Sequence, residues 1–250
     1  MGKTYFLADL HLGATYNEED RLMEKEAVEF LDSIKTDADR IFLLGDVLDY
    51  WFEYKSVVPK GYVRFLGKLA ELADSGVKIT WVIGNHDIWI FDYIPTELGI
   101  SVIDGILEKN VEGVRFSIQH GDAIGGNFKF RFLRSFFRNR FCQWLFAGIH
   151  PGWTVDFAFN WSHRSRESGK RAKNYKNVDI QPIREWCINR IKGGDKAEYF
   201  VFGHFHQEER EELPEGRQMI MLPAWLEDKG YGVFDGKDFR IEYYPGNGGY

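Results

Sequence analysis

Apolar residues fall along this chain in two rhythms. Short, nearly unbroken runs at 3–8, 40–44, 78–83, 115–119 and 198–202 read as buried strands. Between the early ones the spacing widens to that of a helix. Residues 18–35 would carry Leu22, Ala27, Phe30, Leu31 and Ile34 as an inner stripe. Residues 62–73 would carry Phe65, Leu66, Leu69 and Leu72, with Gly76 as a stop. Pro182 opens a later helix with Ile183, Trp186 and Ile191 facing inward, and Gly193 and Gly194 close it. Runs at 219–222, 230–234 and 239–244 suggest a closing antiparallel set, followed by a loose glycine-rich tail. Strands alternating with helices and then clustering predict an α/β fold built in layers. Residues 127–177 break the rhythm with helical pattern and no clear strand, and read as a helical insertion in a single domain spanning 1–250.

Composition adds an asymmetry. The chain of 250 residues is 44% hydrophobic and 28% charged, as expected for a water-exposed domain with a sizeable core. Its net charge is −6, yet residues 127–177 hold eleven Lys and Arg against Asp156 and Glu167, a net of +9 that leaves −15 elsewhere. Cys142 and Cys187 are far apart and match no zinc spacing, which favours a reducing compartment. The first residues lack the basic start and cleavage site of a signal peptide. No run approaches the ~18 to 20 apolar residues of a membrane span. A cytoplasmic protein is expected.

Five motifs fall where strands give way to loops: Asp9-Leu10-His11, Gly45-Asp46-Val47-Leu48-Asp49, Gly84-Asn85-His86-Asp87, His120-Gly121-Asp122 and Gly203-His204-Phe205-His206. Sites in α/β sheets collect at such strand ends, and the glycines let the backbone turn sharply. The donors are mixed imidazole and carboxylate, which suit manganese, with zinc, iron or cobalt as alternatives. Seven donors are too many for one transition metal and enough for two if a carboxylate bridges. Asp9, His11, Asp46 and His206 would hold one ion. Asp46, Asn85, His120 and His204 would hold the other. Two ions about 3.5 to 4 Å apart can hold a hydroxide and neutralise a phosphate in flight. Any one motif could equally be a cap or a core residue; the five in this order favour the metal reading.

This ordered set resembles the calcineurin-like metallophosphoesterase superfamily over 9–206. The resemblance implies a two-sheet sandwich flanked by helices and supports the same metal ligands. It also implies that His86, paired with Asp49, steadies the phosphoryl group or protonates the leaving oxygen, while Asp87 and Asp122 are supporting residues. Asn85, His86 and His204 would also touch the substrate.

The insertion bears on that substrate. Residues 128–146 hold five basic residues and no acid, with Phe132, Phe136, Trp144 and Leu145 near helical spacing. That pattern suits a helix at a lipid surface or one clasping an acyl chain. Simple packing, a solvated face or single-stranded nucleic acid are the competing readings; the density of large apolar residues favours lipid, with no nucleic acid expected. Together with Trp161-Ser162-His163-Arg164-Ser165-Arg166, this segment resembles the UDP-2,3-diacylglucosamine pyrophosphatases of lipid A biosynthesis. The resemblance implies hydrolysis of a nucleotide-linked glycolipid to UMP and lipid X at the inner membrane surface. Asn127, Arg164, Arg166, Lys170 and Lys173 are the candidate contacts from the insertion. His86 departs from the Arg of the best-known members, and keeps open a soluble phosphodiesterase or phosphatase for nucleotides or phosphoproteins. A non-catalytic scaffold is a remoter alternative, because such proteins erode the ligands that are intact here.

Overall fold

The computed structural model describes residues 2–13, 18–124, 135–154 and 179–245. Two sheets lie face to face. The first has the order β11-β10-β1-β2-β3-β4 and the second β5-β6-β7-β9-β8. β1 (Lys3–Leu7), β2 (Ala38–Leu43), β3 (Lys78–Val82) and β4 (Ser101–Ile103) run parallel. β10 (Gly230–Phe234) and β11 (Phe239–Tyr243) complete that sheet antiparallel. In the second sheet β6 (Val114–Gln119), β7 (Tyr199–Phe202) and β9 (Arg217–Met221) are parallel, with β5 (Leu107–Val111) and β8 (Glu209–Leu213) as antiparallel edges.

The layering follows from strand alternation. In β1 and β2, Tyr5, Leu7, Ile41 and Leu43 face a core shared with the helices, whereas Phe6 and Phe42 face the space between the sheets. β7 and β9 do the same from the other side. Val201 and Ile220 enter the inter-sheet core, and Phe200, Phe202, Met219 and Met221 meet the last long helix. α1 (Glu18–Ile34), α2 (Val63–Asp74) and α3 (Tyr93–Leu98) belong to the first core. α4 (Arg140–Ala147) follows, then α5 (Gln181–Lys192), which covers the second sheet through Ile183, Cys187 and Ile191. α6 (Trp225–Asp228) is a single turn. This is the expected sandwich with helices on both outer faces.

Three expectations fail in detail. The late strands do not form one set: β9 pairs in parallel with β7 and antiparallel with β8 in the second sheet, whereas β10 and β11 make a hairpin in the first. Leu22 is 57% exposed rather than part of the α1 stripe. At 100° per residue it lies about 140° round the helix from Ala27, and Met23 packs on the core instead. Trp186 is only half-buried, with Cys187 taking the deeper position.

Candidate metal centre

The C-terminal ends of β1, β2 and β3 in one sheet, and of β6 and β7 in the other, open onto a common edge. Main-chain bonds stitch the loops there: Asp9 N–H donates to Gly45 O, His11 N–H to Asp46 O, and Gly203 N–H to His120 O. Among the described residues, nine non-glycine positions have positive φ. Five are motif donors: Asp9, His11, Asp46, His204 and His206. A left-handed conformation costs about 1–2 kcal/mol per residue, so a cluster of them marks a place where side-chain aim outweighs backbone comfort.

Two donor groups result. Asp9, His11 and His206 converge in one, Asp46, His120 and His204 in the other. Asp46 links them: its Oδ2 is 3.8 Å from His11 Nε2 and 3.3 Å from His120 Nε2. Asn85 joins the second group, with Oδ1 3.1 Å from His120 Nε2. His86 also reaches the edge and can group with His11 and Asp46.

Hydrogen bonds fix which nitrogen each ring presents. His120 Nδ1 donates to Leu44 O at 2.7 Å, His11 Nδ1 to Asp49 Oδ1 at 3.1 Å, and His206 Nδ1 to Glu227 Oε1 at 3.1 Å. The Nε2 atoms of His11 and His206 then face each other at 3.3 Å. The buried Asp9 Oδ1 beside them makes no hydrogen bond. Two imidazole nitrogens and a buried carboxylate oxygen this close need a positive charge among them, either a proton on one ring in the metal-free protein or a divalent ion in its place. This donor set therefore fits a divalent ion.

Asp49 lies beside two rings. Its carboxylate lies closer to His11 Nδ1, at 3.1 Å, than to His86 Nδ1, at 3.5 Å, and His86 donates to the Asp49 main-chain oxygen at 3.0 Å. Asp87 is a supporting residue: it accepts from the Val47 and Gly84 N–H groups and from Trp81 Nε1. Asp122 is buried. Glu227 was not singled out in the sequence, since Trp-Leu-Glu-Asp matches no motif.

The charged groups at the edge lie close enough to shift one another. Burial disfavours charge on His120, but Asp46 outweighs it and raises its pKa to about 10. Burial opposes His206 likewise, and Asp9 and Glu227 raise it to about 10. Burial and the neighbouring His120 push His204 down to about 4. Despite burial, the nearby imidazoles hold Asp46 well below the usual carboxylate range, and Asp9 below it. Metal-free protein at neutral pH thus carries protons on His120 and His206, which an ion must displace. Calorimetry in buffers of different ionisation enthalpy is expected to show about two protons released as both ions bind, with affinity rising as pH rises toward 10. The same groups make metal-free stability depend on pH. The contribution of His120 and His206 is full below about pH 6.5 and is lost as pH climbs to about 10. That of Asp9 and Asp46 is lost as pH falls through their depressed values.

Of the insertion, residues 135–154 are described. Asn127, Arg164, Arg166, Lys170 and Lys173 lie outside the described residues, as does Phe132. Phe137 and Phe146 pack on Tyr50, Phe52 and Trp89. Trp89 Nε1 donates to Phe137 O at 2.9 Å, and Arg138 pairs with Asp104 and reaches Gly84 O. Phe141, Leu145, Trp144 (69% exposed) and Trp153 (72%) face solvent. A recess of about 470 Å³ opens between α4 and Phe52 and Phe91. A cavity of about 770 Å³ between β5, β6 and the end of α5 is lined by none of the donors.

The chain belongs to the calcineurin-like phosphoesterase family, whose model matches residues 2–208, and is a hydrolytic enzyme with a divalent-metal centre. Within that class it is 35% identical to the UDP-2,3-diacylglucosamine hydrolase of Porphyromonas gingivalis, covering 96% of this chain and 97% of that protein. It is 25% identical to the protein of the same name from Shewanella halifaxensis, over 90% of this chain and 91% of that one. A solved structure from Streptococcus pneumoniae, described as a predicted phosphoesterase, aligns over 98% of this chain and 94% of its own with a TM-score of 0.46 and 12% identity. Among the described residues, no helix is long and apolar enough to cross a membrane.

Proposed function

We propose that this enzyme hydrolyses the pyrophosphate bond of UDP-2,3-diacylglucosamine, releasing UMP and lipid X, with two manganese ions. The observation that carries the reaction is the pair of donor groups joined through Asp46. The substrate class rests on the relative that is 35% identical over nearly the whole chain.

Asp9, His11, Asp46 and His206 would hold one ion, and Asp46, Asn85, His120 and His204 the other. When bound, such ions supply Lewis acidity toward a phosphoryl oxygen and lower the pKa of water. The chain does the rest. Leu44 O, Asp49 and Glu227 hold three imidazoles in the tautomer that presents Nε2. His86 has its Nδ1 proton committed to Asp49 O, so Nε2 is the atom through which it would meet the phosphoryl or leaving oxygen. Asp49 positions His11 and His86 together. Asn85 and His204 would face the substrate phosphates, with Asn127, Arg164, Arg166, Lys170 and Lys173 of the insertion as further contacts.

In this reading 127–177 is a lid on a single domain. Its anchored side, Phe137, Arg138 and Phe146, joins it to the catalytic edge. The recess beside Phe52, Phe91 and Trp144 offers room for acyl chain. Exposed Phe141, Trp144 and Trp153 would rest on an anionic membrane surface, in keeping with a peripheral position at the cytoplasmic face of the inner membrane. Purified protein with Mn²⁺ is expected to release UMP from UDP-2,3-diacylglucosamine in detergent micelles. No release, with brisk turnover of simple phosphodiesters, would support a soluble phosphodiesterase instead.

A further inference from the structure

The family match ends at residue 208, yet the metal edge does not. α6 returns to it after β9. Trp225 N–H donates to Ala8 O and Leu226 N–H to Asp9 O, each at 3.1 Å, so the turn is bonded to the strand end that carries Asp9. It is held there firmly. Trp225 is 1% exposed, sits 4.8 Å from the Phe30 ring and stacks on Tyr244 at 6.0 Å. Lys229 closes the turn in a left-handed conformation, its N–H donating to Trp225 O and its Nζ to Glu26 Oε1 at 2.6 Å. From this anchored turn Glu227 accepts the Nδ1 proton of His206.

We infer that Glu227 is a positioning residue for the ion held by Asp9, His11, Asp46 and His206, acting through His206. This deepens the two-ion reading above and rests on it. A carboxylate on the far nitrogen of a ligating imidazole fixes the ring, holds the remaining proton on Nδ1 so that Nε2 is the atom turned to the ion, and makes that nitrogen a stronger donor. Glu227 is not itself a ligand: it is absent from every donor group the described residues form. Its reach is also local. His120, in the other group, is held by the neutral Leu44 carbonyl, so Glu227 should govern one ion and leave the second alone. His11 keeps Asp49 as its own support, so the site is weakened by losing Glu227 rather than erased.

The test titrates Mn²⁺ alone into metal-free full-length protein, with wild type, Glu227→Ala, Glu227→Gln and Asp228→Ala compared by calorimetry. Wild type should bind two ions. Glu227→Ala should lose about 10- to 100-fold in affinity for one ion and keep the other. Glu227→Gln retains an acceptor oxygen without the charge and should fall between them. Asp228→Ala, on the same turn, should bind as wild type does. Weakening of one ion with the other bound as in wild type is a separation that a merely structural role would not give. Wild-type affinity for both ions in Glu227→Ala, or equal weakening of both, would overturn the assignment. A wild type that binds fewer than two ions would instead overturn the two-ion reading, and the role of Glu227 with it.

Discussion

Replacing Asp46 by Asn should lower phosphoester hydrolysis by about 10³-fold or more, the scale on which a preorganised charged group in an active site acts. It should also reduce bound metal from two ions toward one or none, read by elemental analysis of the purified variant. The reason is connectivity. Asp46 Oδ2 faces His11 on one side and His120 on the other, and among the described residues Asp46 is the carboxylate that shares a donor group with each of them. Its Oδ1 accepts the His86 N–H at 2.8 Å, so the loop carrying the proposed acid also leans on it. Asn keeps the shape and loses the charge. It therefore separates bridging electrostatics from packing better than Ala does. Without that charge, His120 loses its main counter-ion. A buried imidazolium left without its partner is costly, so the metal-free variant should be less stable than wild type near neutral pH. Near-normal turnover with two ions bound would contradict the bridging role of Asp46.

What was legible in the sequence is the chemistry-limited part. Asp, His and Asn at strand ends, flanked by Gly45, Gly84, Gly121 and Gly203, leave few alternative uses, so the edge could be assembled from spacing and motif order. The strained backbone at Asp9, His11, Asp46, His204 and His206 has no such signature, because a donor looks the same whatever its φ. Supporting partners were harder still. Leu44 acts through its carbonyl, which every residue owns, and Glu227 lies 21 residues from His206 on an unremarkable turn. In the fold, buried strands such as β1 and β2 read clearly because both faces are apolar. β8, with the sequence EREEL at a sheet edge, carries charge where a core strand would not and passes for loop. The parallel pairing of β9 with β7 is non-local, so three late strands looked like one local set.

Gly84 should tolerate no side chain at all. An added Cβ would lie 2.2 Å from Asp46 Oδ1 and 2.4 Å from Asp46 N. The first of these atoms could rotate away only by abandoning the His86 N–H, and the second is backbone, fixed in the loop between β2 and its partner strands. Conformation is not the obstacle here, since Gly84 is not among the glycines at positive φ; the obstacle is space. Gly84 N–H is also held by Asp87 Oδ1 at 2.7 Å and its carbonyl by Arg138, so the residue cannot step back. Gly84→Ala should therefore cost about 3 kcal/mol or more of stability, at the upper end of what overpacking does. It should also displace Asp46 enough to lose metal. Gly99→Ala gives the contrast. Its Cβ meets nothing within 4 Å, and only its φ of +68° is unfavourable, so a cost of about 1–2 kcal/mol with both ions retained is expected. Denaturant unfolding and metal content, measured on the two variants side by side, separate crowding at the metal edge from backbone strain away from it. If Gly84→Ala matched Gly99→Ala in both, the close approach of the β2 and β3 loops would not be what holds Asp46 between its two groups of ligands.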